Sequence, residues 1–109
     1  MSAQSDWDIS VEDLKALLDE KANFQLIDVR EPHEAEICAL GGELMPMGDL
    51  AQRIGELDPT AHIVVHCRSG GRSAQAVMAM RGAGFENVWN VQGGILAWIE
   101  RIDPSLQSY

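Results

Sequence analysis

The sequence is poor in basic residues and in long apolar runs. Only 8 of its 109 residues are Lys or Arg, against 17 Asp or Glu, which gives a formal net charge of −9. This balance argues against a surface for nucleic acid or for an anionic membrane, because both need clustered positive charge. No stretch approaches the length of a transmembrane helix. We therefore predict no nucleic-acid partner and no membrane partner.

Targeting signals, cysteines and metal ligands are also scarce. Residues 1–7 contain neither a basic start nor an apolar run, so they do not resemble a secretory signal, and we expect a cytoplasmic location by default. The two cysteines, Cys38 and Cys67, could form one disulfide, but a reducing compartment favours free thiols. The histidines and cysteines lack metal-ligand spacing, so we predict no metal site.

Short apolar runs alternate with segments of helical pattern along the chain. Its length suits one domain, with a core over about residues 8–102 and a tail at 103–109. We predict helices near 11–21, from Pro32, and at 49–57, 74–83 and 95–102. Ser10 and Asp13 have the spacing of a capping box at the start of the first helix. Buried strands are predicted at 25–29, 62–66 and 86–91, with a short edge piece at 43–46. This order predicts an α/β fold with a mostly parallel central sheet and helices on both faces.

Residues 67–73 carry the clearest indication of chemistry. Cys67 follows a buried strand and precedes a helix, where unpaired backbone N–H groups and the helix dipole favour an anion. We therefore expect an exposed thiol that ionises easily. Gly70 and Gly71 allow the loop to curl so that its N–H groups face inward. The predicted anion site also includes side chains with fixed charge or a hydroxyl, namely Arg68, Ser69, Arg72 and Ser73.

Neighbouring polar residues are given supporting roles. His66 precedes Cys67 in a strand, so its side chain should point to the opposite face, which favours a hydrogen-bonded role over that of a general base. Asp28 and Arg30 close a neighbouring strand, and we favour an ion pair that braces the loop over direct contact with substrate. Cys38 could resolve an oxidised Cys67, although a packing role is the simpler interpretation.

Four blocks of the sequence match one known family in order and spacing. They are residues 26–32, 64–73, 84–88 and 93–98, and they resemble the rhodanese-like sulfurtransferases over nearly the whole chain. Residues 102–109 are similar to the end of the carboxy-terminal rhodanese domain in adenylyltransferase-sulfurtransferase fusion proteins. Residues 37–42 depart from the commoner family pattern, in which a histidine-containing segment precedes an Ile-Pro-Gly-Ala block. That departure concerns the partner surface more than the chemistry.

The resemblance implies a single rhodanese-like domain in which Cys67 carries a persulfide that the loop N–H groups stabilise. It implies thiosulfate or a persulfide as the sulfur donor, and a nucleophilic acceptor such as a small ubiquitin-like sulfur-carrier protein. No cofactor is expected.

Two other function classes stay open. Cysteine-dependent phosphatases or arsenate reductases use a Cys-x5-Arg loop, whereas here only four residues separate Cys67 from Arg72 and position 73 is Ser73. A non-catalytic binding module is the third interpretation, although such rhodanese-like domains typically lack the cysteine.

Overall fold

The computed structural model describes residues 7–109, so the amino-terminal segment from which we predict no secretory signal lies almost entirely outside the described residues. Five helices and five strands alternate along this range. In chain order they are β1 (Asp8–Ile9), α1 (Val11–Asp19), β2 (Gln25–Asp28), α2 (Pro32–Ile37), β3 (Glu43–Leu44), α3 (Met47–Arg53), β4 (Ile63–His66), α4 (Gly71–Gly82), β5 (Val88–Val91) and α5 (Gly94–Arg101). A 3₁₀ turn, Ile54–Glu56, extends α3.

All strands are parallel and lie in one sheet, in the order β1-β5-β4-β2-β3. The register pairs Asp28 at the end of β2 with His66 at the end of β4. The residues that follow these two strands therefore emerge at the same edge of the sheet. The carboxyl ends of parallel strands are the usual position of a functional site in such folds.

Helices cover both faces of this sheet, as the sequence predicts. Buried apolar side chains of β2 and β4 pack on one face with α3 and α4, through Ile27, Val65, Leu50, Val77 and Met80. On the other face they pack with α1 and α5, through Val64, Val11, Leu14 and Trp98. Because Val64 and Val65 point to opposite faces and both are buried, the first three residues of β4 form a continuous apolar run.

The beginning of α1 shows how local sequence sets an element. Ser10 Oγ accepts a hydrogen bond from the backbone N–H of Asp13 at 3.0 Å, and the Asp13 carboxylate accepts from the Ser10 N–H at 3.1 Å. This reciprocal pair satisfies two N–H groups that have no partner within the helix. The predicted capping box is therefore confirmed.

The structure corrects several predicted boundaries. Strand β1 was not predicted, because two residues are too short for an alternating pattern. Helix α3 begins at Met47 and ends at Arg53, and the predicted continuation to residue 57 is a 3₁₀ turn. Helix α4 begins at Gly71 rather than at residue 74, so the loop after Cys67 is shorter than predicted. Among residues 7–109, no helix has both the length and the apolar character needed to cross a bilayer.

Candidate active site

Cys67 lies in the turn between β4 and α4, and hydrogen-bond donors converge on its sulfur. The backbone N–H of Gly70 donates to Sγ at 3.1 Å, that of Ser73 at 3.5 Å, and the Ser73 hydroxyl lies 3.3 Å away. Burial opposes ionisation of the thiol. Hydrogen bonds from the Ser73 side chain and from the N–H groups of Ser73, Gly70 and Ser69 outweigh it and lower the pKa of Cys67.

The predicted exposed position of Cys67 is wrong, because the residue is only 1% exposed. Gly70 adopts a left-handed conformation, with φ of 106°, and so turns the chain back over the sulfur. The N–H donors that favour the thiolate therefore also cover it. Cys67 forms the floor of a closed loop rather than of an open cup.

The amino terminus of α5 packs against this loop and forms backbone hydrogen bonds with it. The backbone N–H groups of Ile95 and Leu96 donate to the carbonyl oxygens of Cys67 and Arg68, both at 3.0 Å. A Cβ on Gly94 would lie 2.5 Å from the Arg68 oxygen and 2.7 Å from the Cys67 oxygen. Only glycine permits this close approach of backbone to backbone. The Gly93-Gly94 pair just before the predicted helix at 95–102 is the sequence signal for this close approach.

Arg72 points toward α2. Its two terminal nitrogens donate to the two carboxylate oxygens of Glu34 at 2.7 and 2.8 Å. This pairing with Arg72 holds the pKa of Glu34 well below its usual range, despite burial of the carboxyl group. Arg72 remains close enough to Cys67 for attraction between the guanidinium and a thiolate. Thus Arg72 contributes positive charge to the site while it is already bonded to a carboxylate.

Arg68 contacts the tail. Its Nε donates to the Tyr109 backbone carbonyl at 2.8 Å, its Nη2 donates to the same oxygen, and its guanidinium lies 5.0 Å from the centre of the Tyr109 ring. The Tyr109 hydroxyl donates to Glu34 at 2.8 Å. Tyr109 therefore joins the tail to the loop and to α2. The sequence offered no local signal for this contact, and we predicted only a tail.

Asp28 and Arg30 form a buried ion pair at the end of β2. Arg30 Nη2 lies 2.8 Å from Asp28 Oδ2, and Arg30 is completely buried. The same guanidinium donates to the carbonyl of Cys38 at 2.7 Å and to the Tyr109 hydroxyl at 2.9 Å. Its donors are thus directed to Asp28, to the segment after α2 and to the tail, and the bracing of the Cys67 loop by this ion pair stays a prediction.

His66 is buried beside Asp28, on the side of β4 away from the sulfur. Its Nε2 lies 3.9 Å from Asp28 Oδ2, and its Nδ1 lies 3.4 Å from the Cys67 carbonyl oxygen. Burial lowers the pKa of His66, so the ring is neutral near pH 7. Among the buried side-chain nitrogen and oxygen atoms of residues 7–109, only His66 Nε2 has no hydrogen-bond partner. These positions agree with the prediction that its side chain points away from Cys67.

The model of the rhodanese-like domain family matches residues 10–101. The chain belongs to the rhodanese-like family.

Relatives of this rhodanese-like chain differ in length. It is 39% identical to the chloroplastic rhodanese-like/PpiC domain-containing protein 12 of Arabidopsis thaliana, over 94% of this chain and 37% of that protein. It is 34% identical to the probable adenylyltransferase/sulfurtransferase MoeZ of Mycobacterium tuberculosis, over 93% of this chain and 26% of that protein. The chain therefore spans between about a quarter and two fifths of these two curated relatives.

A solved structure supports the same fold. The crystal structure of a rhodanese-related protein from Thermoplasma volcanium superposes with a TM-score of 0.77 at 30% identity, and the match covers 87% of this chain and 92% of that one. The resemblance to rhodanese-like domains and to the domain in adenylyltransferase-sulfurtransferases, and the predicted fold class, are confirmed.

Proposed function

We propose that this rhodanese-like protein is a sulfurtransferase that forms a persulfide on Cys67 and passes the outer sulfur to a nucleophile. One observation carries the proposal: hydrogen-bond donors of the loop converge on the Cys67 sulfur and lower the pKa of its thiol. A thiolate is the reactive form of cysteine, and an anionic persulfide needs the same donors. The family membership of the chain supports the reaction class.

In the first half-reaction, the Cys67 thiolate attacks the outer sulfur of the donor. With thiosulfate, a bond forms between Sγ and that sulfur, the sulfur–sulfur bond of thiosulfate breaks, and sulfite leaves with the electron pair. With a persulfide donor, the leaving group is the donor thiolate. Both routes leave an anionic persulfide on Cys67, and neither needs an external oxidant or reductant.

The charge around the sulfur supports an anionic intermediate. The N–H groups of Ser69, Gly70 and Ser73 stabilise negative charge at Sγ, and Arg72 adds attraction from α4. Gly71 is the first residue of α4 and lies between these donors in the sequence. Because Arg68 is bonded to Tyr109 and Arg72 to Glu34, we propose that an anionic donor competes for these guanidinium groups.

In the second half-reaction, a nucleophile takes the outer sulfur and Cys67 leaves as a thiolate. Cyanide or a small thiol serves this purpose in an assay. A small ubiquitin-like sulfur-carrier protein is our proposed protein acceptor, since fused adenylyltransferase-sulfurtransferases are among the relatives. With this acceptor the roles are reversed: the Cys67 persulfide attacks the activated carboxyl terminus of the carrier, and the activating group leaves. External thiols then reduce the acyl disulfide, which releases the carrier thiocarboxylate and the Cys67 thiolate. The thiolate that is regenerated keeps its loop donors, so the cycle needs no cofactor.

Intact-mass spectrometry after treatment with thiosulfate tests this proposal. The unmodified chain and Cys38→Ser should each gain the mass of one sulfur atom and lose it on addition of cyanide, whereas Cys67→Ser should gain none. Aryl phosphate is offered in parallel. A chain that never gains sulfur, from thiosulfate or from a small-molecule persulfide, is a binding module. Phosphate release without thiocyanate formation would instead assign the phosphatase class.

A further inference from the structure

A chain of polar side chains connects the Cys67 sulfur to the far edge of the sheet. Asp8 of β1 accepts a hydrogen bond from the Asn90 amide nitrogen of β5 at 3.0 Å. The Asn90 amide oxygen lies 2.5 Å from the Ser73 hydroxyl of α4, which lies 3.3 Å from Cys67 Sγ. Ser73, Asn90 and Cys67 are all buried. In the low dielectric of the interior, such contacts influence one another strongly.

The Ser73 hydroxyl has a single proton and more than one acceptor within reach. Asn90 Oδ1 is the nearest, and Cys67 Sγ and the Gly70 carbonyl oxygen both lie at 3.3 Å. A carboxylate only accepts hydrogen bonds, so Asp8 directs the amide nitrogen of Asn90 toward itself and the amide oxygen toward Ser73. While Cys67 is a neutral thiol, the nearest acceptor therefore receives the Ser73 proton.

Ionisation of Cys67 reverses this preference. A buried thiolate is costly without donors, and it attracts the Ser73 proton more strongly than an amide oxygen does. The proton can move from one acceptor to the other by rotation of the hydroxyl alone. Asn90 then loses a hydrogen bond at the moment that Cys67 gains one.

We propose that Asn90 is a positioning residue that holds the Ser73 hydroxyl beside Cys67 and competes with the sulfur for its proton. The relevance of this competition to catalysis rests on the proposed function, in which Cys67 is the nucleophile. The competition itself concerns the free protein and is measured without any sulfur transfer.

Other charged and titratable groups lie on the elements around the Cys67 loop, and the competition must be separated from them. They are Asp8 of β1, Asp28 and Arg30 at β2, Glu34 of α2, His66 of β4, Arg68 and Arg72 of the loop and α4, and Tyr109 of the tail. Arg30 and Arg72 are paired with carboxylates, and His66 is neutral. Within residues 7–109, no hydrogen bond joins Ser73 to any of these charged groups.

A double-mutant cycle isolates the contribution of Asn90 through Ser73. The ultraviolet absorbance of the thiolate is titrated against pH for the unmodified chain, Asn90→Leu, Ser73→Ala and the double variant. Each titration is corrected with its Cys67→Ser counterpart. Asn90→Leu should raise the ionisation constant of Cys67 about three- to tenfold, the effect of freeing one hydrogen bond. In the Ser73→Ala background the same substitution should have no effect.

A shift of equal size in both backgrounds would overturn the proposal, as would no shift or a decreased ionisation constant in Asn90→Leu. Asn90→Ala serves the same cycle if leucine disturbs packing, and circular dichroism establishes that each variant is folded.

A further measurement needs no substitution of Asn90. Its side-chain amide resonances should move with the midpoint of the thiol titration in the unmodified chain and remain fixed in Ser73→Ala. Resonances that do not shift during the titration, or that shift equally in both chains, would contradict the proposal that Asn90 competes with the sulfur for the Ser73 proton. Persulfide formation by mass spectrometry tests the proposed function separately, so the two can fail independently.

Discussion

The two cysteines lie in regions that differ in the hydrogen-bond donors they place around the sulfur. Cys38 follows α2 and is 7% exposed, and Cys67 precedes α4 and is 1% exposed. Within the described part of the chain, no hydrogen bond reaches the Cys38 sulfur, whereas backbone and side-chain donors converge on the Cys67 sulfur. The two cysteines are therefore buried to nearly the same extent, and they differ in the hydrogen-bond donors around the sulfur. The comparison teaches that the hydrogen-bond donors of the turn before a helix, rather than depth, lower the pKa of the Cys67 thiol.

The segment that contains Cys38 is organised around backbone contacts. The Cys38 carbonyl accepts from the buried Arg30, and the Cys38 N–H donates to the carbonyl of Glu34. Its side chain packs with Ile95 and Ile99 of α5. We therefore propose that this segment serves stability and that the Cys67 loop serves the proposed chemistry. Four predictions test that division.

The largest expected effect distinguishes the two sulfurs directly. Cys67→Ser should abolish thiocyanate formation from thiosulfate and cyanide, because residues 67–73 contain no other thiol. Cys38→Ser should retain activity within about twofold, since the sulfur it replaces lies in an apolar cluster. Steady-state rates of both variants measure this. Equal losses would mean that the two cysteines act together, for instance through a disulfide.

The second prediction concerns the buried ion pair between Arg30 and Asp28, whose guanidinium also bonds to the Cys38 carbonyl. Arg30→Ala should lower the free energy of unfolding by about 3 to 5 kcal/mol, because it leaves the buried Asp28 carboxylate unpaired. Arg101→Ala, which removes an exposed pair with Glu12, is the matched control and should cost no more than about 1 kcal/mol. Urea denaturation compares them. Similar costs for the two variants would contradict a bracing role for Arg30.

The third prediction concerns the support below the Cys67 loop. Gly94→Ala places a Cβ against the backbone of Arg68 and Cys67 and should cost about 3 kcal/mol or more. Gly84→Ala also has a positive φ, of 103°, but its Cβ meets no atom within 4 Å, so it should cost only about 1 to 2 kcal/mol. Thermal unfolding ranks the two. Activity per folded molecule should fall only in Gly94→Ala.

The smallest expected effect concerns the pair that joins the two regions. Because Arg72 lowers the pKa of Glu34, the ionised carboxylate stabilises the folded chain above the usual carboxyl pKa of about 4.3, and this contribution is lost as the pH falls. Glu34→Gln should therefore be less stable by about 1 to 3 kcal/mol at neutral pH. The difference should shrink at pH values below about 4.

The control for this pH dependence is Glu36→Gln, which alters an exposed carboxyl group on the same helix. Its difference from the unmodified chain should be small across the whole range. A constant difference for Glu34→Gln from neutral to acid pH would show that the Arg72 pair does not carry the effect.

The sequence predicted those features of the fold that depend on interactions between residues close in the chain. The capping box at Ser10, the buried strand β4 and the turn at Cys67 all depend on residues close in sequence, so spacing was sufficient. Strand β1 escaped prediction because Asp8 and Ile9 form a strand only by pairing with β5. A two-residue strand has no periodicity of its own.

The candidate site was predicted in its nucleophile and loop but not in the contacts of its arginines. Arg72 and Glu34 are 38 residues apart, and Tyr109 is 75 residues from Glu34. No spacing rule connects such residues, since the fold alone brings them together. The burial of Cys67 was missed for the same reason, because it depends on how the loop closes against the tertiary structure.

The pairing of β1 with β5 has a consequence for how the chain is made. Asp8 and Asn90 are 82 residues apart. During synthesis on the ribosome, the first strand therefore waits without its partner until nearly the whole sheet has been translated. Contacts of such long range slow folding. The hydrogen bonds that run from Asp8 through Asn90 to Ser73 can form only once β5 has emerged, so the polar chain that reaches Cys67 is completed late in synthesis.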